Sequence, residues 1–205
     1  AVALDGDTQF SAATNNPSAL TGSFTFSAWV KTAKTGTLKN EQKVGFATGC
    51  NFLVHPLKPA DDDTASYGIA VLAGGVNLFE YGGDSLPAVL RCPATLGDGW
   101  HHVAFTVEDG GAPGLYIDGA YAKTGINTGK TKCLYAGVNI GGDEFGRFSG
   151  DADDVCYYER ALSADEISAL YDALSPLADD KPISAKPAIG VEYTAGSASV
   201  TISCD

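Results

Sequence analysis

The chain has 205 residues, with 13 Lys+Arg against 25 Asp+Glu, a formal net charge of −12, 44% hydrophobic residues and 19% charged residues. That composition is globular and excludes an intrinsically disordered chain, and no apolar run approaches the ~20 residues of a membrane-spanning helix. The acidic balance argues against a phosphate-backbone binder, which needs a basic patch, so neither nucleic acid nor membrane insertion is expected; it suits cation binding or simple solubility.

The chain opens in apolar-alternating sequence, Ala1-Val2-Ala3-Leu4, and contains no Met. A small-residue start of this kind is expected of a mature terminus left by signal-peptide removal, and hence of a secreted or surface protein. Phe24, Phe26, Ala28 and Val30 then alternate with Thr25, Ser27, Trp29 and Lys31, the period-two pattern of a half-buried strand. Further strands are expected near Val44–Thr48, Tyr67–Leu72 and Val76–Tyr81. His101–Val107 repeats the alternation, with Val103, Phe105 and Val107 on one face. Leu115-Tyr116-Ile117, Asp118-Gly119 and Ala120-Tyr121-Ala122 read as a tight hairpin, because Asp-Gly supplies the positive φ angles of a type I′ turn. Strands near Leu134–Ile140 and Ala152–Tyr158 complete a set of short strands punctuated by 25 glycines, the signature of a sandwich or jelly roll.

One helix is expected. Ser163-Ala164-Asp165-Glu166 is a capping box, Leu162 and Ile167 occupy hydrophobic-staple positions, and Ile167, Leu170, Tyr171 and Leu174 follow helical spacing until Pro176. The composition then shifts to Pro, Ala, Lys and Asp. We therefore divide the chain into a main domain over 1–175, a linker over 176–188 and a β-prone tail over 189–205. Two tail strands are not stable alone, so the tail must dock on the sandwich, add to another chain or begin a further domain.

Five cysteines are spread along the chain. Their spacing and that of the three histidines do not fit zinc. Cys50, Cys92, Cys133 and Cys156 are the disulfide candidates, with no pairing favoured by spacing, and Cys204 is the odd one, expected as an intermolecular or tail cysteine. His101 and His102 are adjacent on a strand and point to opposite faces, so they cannot chelate one ion together, and we read them as scaffold. Trp29 and Trp100 read as packing residues. For a sugar site, aromatic faces and a cation are needed, and Tyr67, Tyr81, Tyr157 and Arg147 are the candidates. Phe79 and Tyr158 are also available.

Several motifs in order resemble one family. Phe24-Thr25-Phe26-Ser27-Ala28-Trp29-Val30-Lys31, Gly99-Trp100-His101-His102-Val103-Ala104-Phe105, Leu115-Tyr116-Ile117-Asp118-Gly119 and Asp153-Asp154-Val155 followed by Tyr158-Glu159-Arg160-Ala161-Leu162-Ser163 resemble the laminin G-like, concanavalin A-like jelly rolls of secreted and surface proteins. The resemblance covers roughly residues 1–175 and implies an all-β sandwich of two facing antiparallel sheets with one short C-terminal helix. It implies lectin, glycosidase, adhesion or spacer roles without choosing among them. It also implies a structural calcium near the first and last strands, which would fall to Asp5, Asp7, Asp153 and Asp154. The paired-carboxylate strand E-x-D-x-x-E of the glucanases is missing; Asp151-x-Asp153 is the nearest approach, and no G-x-S-x-G signature occurs. Cys156, the Asp-rich loop over 51–66 and the tail depart from the family pattern.

The expected function is therefore a non-catalytic extracellular binding or adhesion module that recognises a glycan or a protein on a cell surface or in the matrix. The alternative is a structural subunit of a surface filament that self-assembles through residues 189–205. A glycoside hydrolase ranks third.

Overall fold

Every second side chain of the Phe24 strand points into one apolar interior. Phe24, Phe26, Ala28 and Val30 pack there with Val103, Phe105 and Val107 of the neighbouring strand and with Ile69, Val71, Val76 and Leu78 of a facing sheet. Burial of these branched and aromatic side chains, at ~1.5–3 kcal/mol each, drives the two sheets together. In the computed structural model the described residues are 1–7, 19–143, 145–174, 188–194 and 197–203.

The strands run in chain order as β1 (Val2–Asp5), β2 (Ala19–Thr21), β3 (Phe24–Lys31), β4 (Phe52–Val54), β5 (Thr64–Leu72), β6 (Gly75–Tyr81), β7 (Ala88–Pro93), β8 (His101–Val107), β9 (Gly114–Ile117) and β10 (Ala120–Thr124). They continue as β11 (Thr131–Tyr135), β12 (Gly142–Asp143), β13 (Gly146–Arg147) and β14 (Ser149–Tyr158), then helix α1 (Ala164–Leu174), then β15 (Ala188–Thr194) and β16 (Ser197–Ser203). One sheet has the order β1-β14-β3-β8-β9-β10 and the other β2-β11-β5-β6-β7, with β4 added on β5. Pairing is antiparallel except between β11 and β5. This is the two-sheet jelly-roll sandwich that the sequence predicts. Ala1–Leu174 forms one compact unit and Ser175–Asp205 a second. Within the second, β15 and β16 pair antiparallel from Ala188↔Ser203 to Thr194↔Ser197. Apart from Ala188, the expected linker over 176–188 lies outside the described residues, as does Cys204.

The β9–β10 hairpin closes through Asp118 at φ 50° and Gly119 at φ 74°, the two positive angles a type I′ turn requires. Asp118 does more than turn the chain. Its Oδ2 lies 2.8 Å from His101 Nδ1, and its Oδ1 accepts the His102 backbone N–H at 3.0 Å. That ties the histidine pair into the scaffold. The capping box also forms: Ser163 Oγ accepts the Glu166 N–H at 3.3 Å, and Glu166 Oε2 accepts the Ser163 N–H at 2.9 Å. Arg160 forks onto Glu166 at 2.8 and 2.6 Å and, with the Ser163 N–H, holds that carboxyl down to about 2. Leu162 and Ile167 are buried against Ala104 and Tyr116, on the outer face of the first sheet.

Two expected strands are corrected. Val44–Thr48 is not a strand; it makes one bridge, Phe46↔Leu86. Gly45 at φ 151° and Gly49 at φ 67° break its apolar alternation, and Val44 is 75% exposed. Residues 33–50 instead form a strap over the outer face of the second sheet, where Ala47 and Phe52 pack on Ala70, Phe79, Leu86 and Ala88. The expected Leu134–Ile140 strand runs earlier, at β11, because Gly137 and Asn139 take positive φ angles and turn the chain.

The expected disulfides among Cys50, Cys92, Cys133 and Cys156 are also corrected, since all four are free thiols. Cys92 and Cys133 sit on β7 and β11, three strands apart, about 14 Å at ordinary strand spacing and twice the reach of a disulfide. Cys156 lies across from Ser27 on the outer face of the first sheet, and Cys50 packs against the apolar cluster beneath the strap. Burial pushes the Cys133 thiol up to about 12, which leaves it unreactive at neutral pH.

Candidate functional site

The strap meets the β12–β13 hairpin and β4 over the second sheet. Backbone hydrogen bonds set this junction: Gly49 N–H to Phe145 O at 2.7 Å, Gly141 N–H to Leu53 O at 2.7 Å and Phe148 N–H to Gly141 O at 3.0 Å. Two glycines make the close approach feasible. A Cβ on Gly146 would stand 2.1 Å from the Cys50 carbonyl oxygen, and one on Gly142 would stand 2.1 Å from the Gly146 carbonyl oxygen. Any larger residue would push the hairpin off the strap.

An aromatic cluster forms there. Phe46 packs edge-on against Tyr81 at 5.9 Å and Phe145 at 5.5 Å, and Phe145 stacks on His55 at 5.3 Å and 23°. Beneath them Phe52 meets His55 and Phe79, each at 4.8 Å. Phe46 keeps 47% of its surface in solvent. Asp143 stands beside the rings, accepting the Phe145 N–H at 2.8 Å through Oδ1. Its Oδ2 lies 2.7 Å from His55 Nδ1. That approach lies outside hydrogen-bond alignment, and His55 Nε2 is buried with no partner among the described residues.

Phe145 is followed directly by Gly146 and Arg147, which line a cleft of about 250 Å³ with Lys34, Thr37, Cys50 and Asn51. Leu38, Ala70 and Leu72 supply apolar surface, and Asn77 also contributes. The two amides are already committed. Asn51 Nδ2 donates to Val71 O at 2.7 Å while its Oδ1 accepts the Ser149 N–H at 2.8 Å. Asn77 Nδ2 donates to Leu90 O at 2.8 Å and its Oδ1 accepts the Lys39 N–H at 2.9 Å. They fasten the strap and shape the cleft. Lys34, Thr35 and Thr37 are exposed on its rim. Arg147 Nη1 donates to Asp7 O at 2.9 Å.

Two of the four expected sugar-site residues, Tyr81 and Arg147, are here. The other two are corrected. Tyr67 is 1% exposed and its hydroxyl donates to Glu80 Oε1 at 2.5 Å. Tyr157 packs against Phe26 at 5.5 Å, and burial pushes its phenol up to about 12. Tyr67 is an interior residue that no ligand reaches, and Tyr157 is half-buried against the core with its hydroxyl enclosed.

The expected calcium ligands do not gather. Asp5 pairs with Ser149 at one end of the β1–β14 ladder, and Asp153 sits four residues further along β14, about 13 Å at strand rise. Asp5 Oδ1 accepts the Asp7 N–H at 2.9 Å, and Asp153 Oδ2 meets the Ala1 amine at 2.9 Å. Among the described residues no three His, Cys, Asp or Glu side chains converge on a metal position, so these four carboxylates do not fit one calcium ion, which takes 6–8 oxygens. Sequence reasoning missed Phe46, Phe145, His55 and Lys34. The available signal was Phe46 between two glycine-broken segments, which is the pattern of an aromatic loop as well as of a strand.

A family model described as the concanavalin A-like lectin/glucanases superfamily matches residues 5–168. Among solved structures, the chain is similar to the binding domain of Paraclostridial Mosquitocidal Protein 1, at 17% identity over 76% of this chain and 38% of that one, with a TM-score of 0.48. It is similar to domain 4 of AbnA, a GH43 extracellular arabinanase from Geobacillus stearothermophilus solved with arabinotriose, at 21% identity over 74% and 67% with a TM-score of 0.44. It is also similar to the heptameric SAP-like pentraxin of Limulus polyphemus, at 20% identity over 80% of each chain with a TM-score of 0.49. The chain spans 36% of a botulinum neurotoxin type C chain that it matches. No curated relative matches it.

Proposed function

This chain belongs to the concanavalin A-like lectin/glucanase superfamily, and from that premise we propose that it is a non-catalytic binding module whose ligand is a glycan at a cell surface or in the matrix. The observation that carries this reading is Phe46, an aromatic ring left 47% exposed on a packed aromatic base and next to a carboxylate. A pyranose offers an apolar C–H face and a ring of hydroxyls. The first stacks on Phe46, and the second finds Asp143 and the polar cleft beyond Phe145. Hydrolysis would need two carboxylates across the cleaved bond, and no Asp or Glu lines the cleft among the described residues. Phe46→Ala is expected to weaken glycan binding at least tenfold in calorimetric titration while costing about 1–2 kcal/mol of stability, because half the ring is already in solvent and two edge-on ring contacts are lost. Binding unaffected by Phe46→Ala would move the ligand elsewhere.

The second reading, assembly through the tail, is favoured by one feature. β15 and β16 form a two-stranded sheet within a unit of their own, and two strands lack independent stability in water. A free edge of this kind is able to add to a neighbouring chain and propagate. Light scattering on the full chain and on a version ending at Ser175 decides it. A polymer that becomes a monomer on truncation supports assembly, and two monomers end it.

A further inference from the structure

A lysine, a carboxylate and two hydroxyls meet across β5. Lys132 of β11 and Glu80 of β6 flank that strand, and their side chains are 1% and 2% exposed with Nζ 2.9 Å from Oε1. Thr128 Oγ1 bridges them: it accepts from Lys132 Nζ at 2.6 Å and donates to Glu80 Oε2 at 2.5 Å. The Tyr67 hydroxyl donates to Oε1 at 2.5 Å. Burial and the Glu80 charge hold that phenol well above its usual value, so it stays a donor. The four groups match the parts of an amide-forming site: an amine, a carboxyl carbon, a hydroxyl path from the nitrogen to the leaving oxygen, and a donor on the oxygen that gains charge. Fixed contact supplies the encounter, and desolvating two ions costs free energy that a neutral amide does not incur. A void of about 10 Å³ lined by Glu80, Thr128 and the exposed Lys43 adjoins the pair, room for about one water.

We infer that Lys132 and Glu80 condense into an intramolecular amide, with Thr128 carrying the protons and Tyr67 holding the oxyanion. One proton passes from Nζ through Thr128 Oγ1 to Oε2. The freed lone pair attacks Glu80 Cδ, and the π electrons of Cδ–Oε1 move onto Oε1 against the Tyr67 hydroxyl. A second Nζ proton follows the Thr128 path to Oε2. The Cδ–Oε2 bond then breaks, Oε2 leaves with both protons as water, and nothing is oxidised or reduced. Freshly folded protein holds the ion pair, and the amide accumulates afterwards. The bond ties β6 to β11, the strand that pairs parallel with β5, and closes the loop from Glu80 to Lys132. A cross-link of that span stabilises mainly by constraining the unfolded chain, a covalent tie that the four free thiols of the described residues do not supply.

Intact-mass spectrometry on the full folded chain, held at neutral pH until its mass stops changing, tests this. The expected product is lighter than the sequence mass by one water. Its tryptic digest should contain a branched peptide joining Lys132 to Glu80, and the same chain kept unfolded in guanidinium should not form it. Thr128→Val keeps the side-chain shape and removes the relay, so the branched peptide should form about a hundredfold more slowly. An unchanged mass in the folded chain overturns the inference. So does a lost water that maps to a linear peptide, the signature of a cyclised Asp-Gly pair such as Asp109-Gly110. Linkage in Thr128→Val at the parent's rate overturns the relay.

Discussion

Replacing Lys132 with Met is expected to cost about 3–5 kcal/mol of folding stability, read as a lowered midpoint in urea denaturation. Lys132 and Glu80 are 1% and 2% exposed, with Nζ 2.9 Å from Oε1. The same Oε1 accepts the Tyr67 hydroxyl at 2.5 Å, and Oε2 accepts the Thr128 hydroxyl at 2.5 Å. Lys132 Nζ also donates to Thr128 Oγ1 at 2.6 Å. Burial and the Glu80 charge hold the Tyr67 phenol well above its usual value. The network ends inside the sandwich, where the Tyr67 ring lies 5.9 Å from Phe24 and 5.7 Å from Phe105 of the facing sheet. With Lys132 gone, a buried carboxylate faces two hydroxyls and no cation. The cost comes from that stranded charge and not from the pair being intrinsically favourable, so removing both charges should recover most of it. Lys132→Met combined with Glu80→Leu is therefore expected to be more stable than Lys132→Met alone. A double variant no more stable than the single one would show that the stranded carboxylate is not the source of the cost.

The parts of the fold that were legible are those fixed by neighbours in sequence. The alternation of Phe24 to Lys31, the Asp118-Gly119 turn and the Ser163–Glu166 box are each complete within a few residues, and all formed as read. The site was not legible because it depends on register. Tyr67 and Tyr81 are on adjacent strands and are chemically equivalent candidates. Ser66 pairs with Tyr81 and Tyr67 with Glu80, so the two tyrosines face opposite sides of one sheet, one into the core and one toward the strap. Nothing local distinguishes them. The same parity governs Cys156, which pairs with Ser27 and so faces away from the other sheet, while Val155 and Tyr157 pack on the core. Val44 and Phe46 alternate like a strand, but the strap they belong to is held by hydrogen bonds to Leu86 and Ala88 across the sheet. Those partners lie some forty residues away, beyond any local pattern.

Acid should weaken the attachment of α1 before it reaches the rest of the molecule, because of His102. Its ring is fully buried on the outer face of the first sheet, 5.5 Å from Trp29 and 6.2 Å from Tyr171 of α1, and neither ring nitrogen has a partner among the described residues. Burial lowers its pKa to about 4 against the opposing charge of Asp118. An unfolded histidine titrates near 6.5, so between pH 6.5 and 4 the unfolded chain holds a proton that the folded one does not. The stability this neutral ring supports is complete above pH 6.5 and is lost as pH falls toward 4, about 2 kcal/mol of it by about pH 5 and about 3 kcal/mol in all. Carboxyls held low in the fold act elsewhere. Glu166, near 2 beside Arg160, and Asp61, lowered by Thr64, contribute a slope only below their unfolded values of ~4. The window from pH 6.5 to 5 is free of both. His102→Phe keeps the ring volume and removes the titration, so its stability should stay flat across that window while the parent's falls. Trp29 stacks on Tyr171 at 5.4 Å, and in a Trp100→Phe background its fluorescence reports α1 directly. Release of the helix at a higher pH than global unfolding would make the buried histidine an acid latch on α1. Coincident transitions would make it one more term in the cooperative stability of the sandwich.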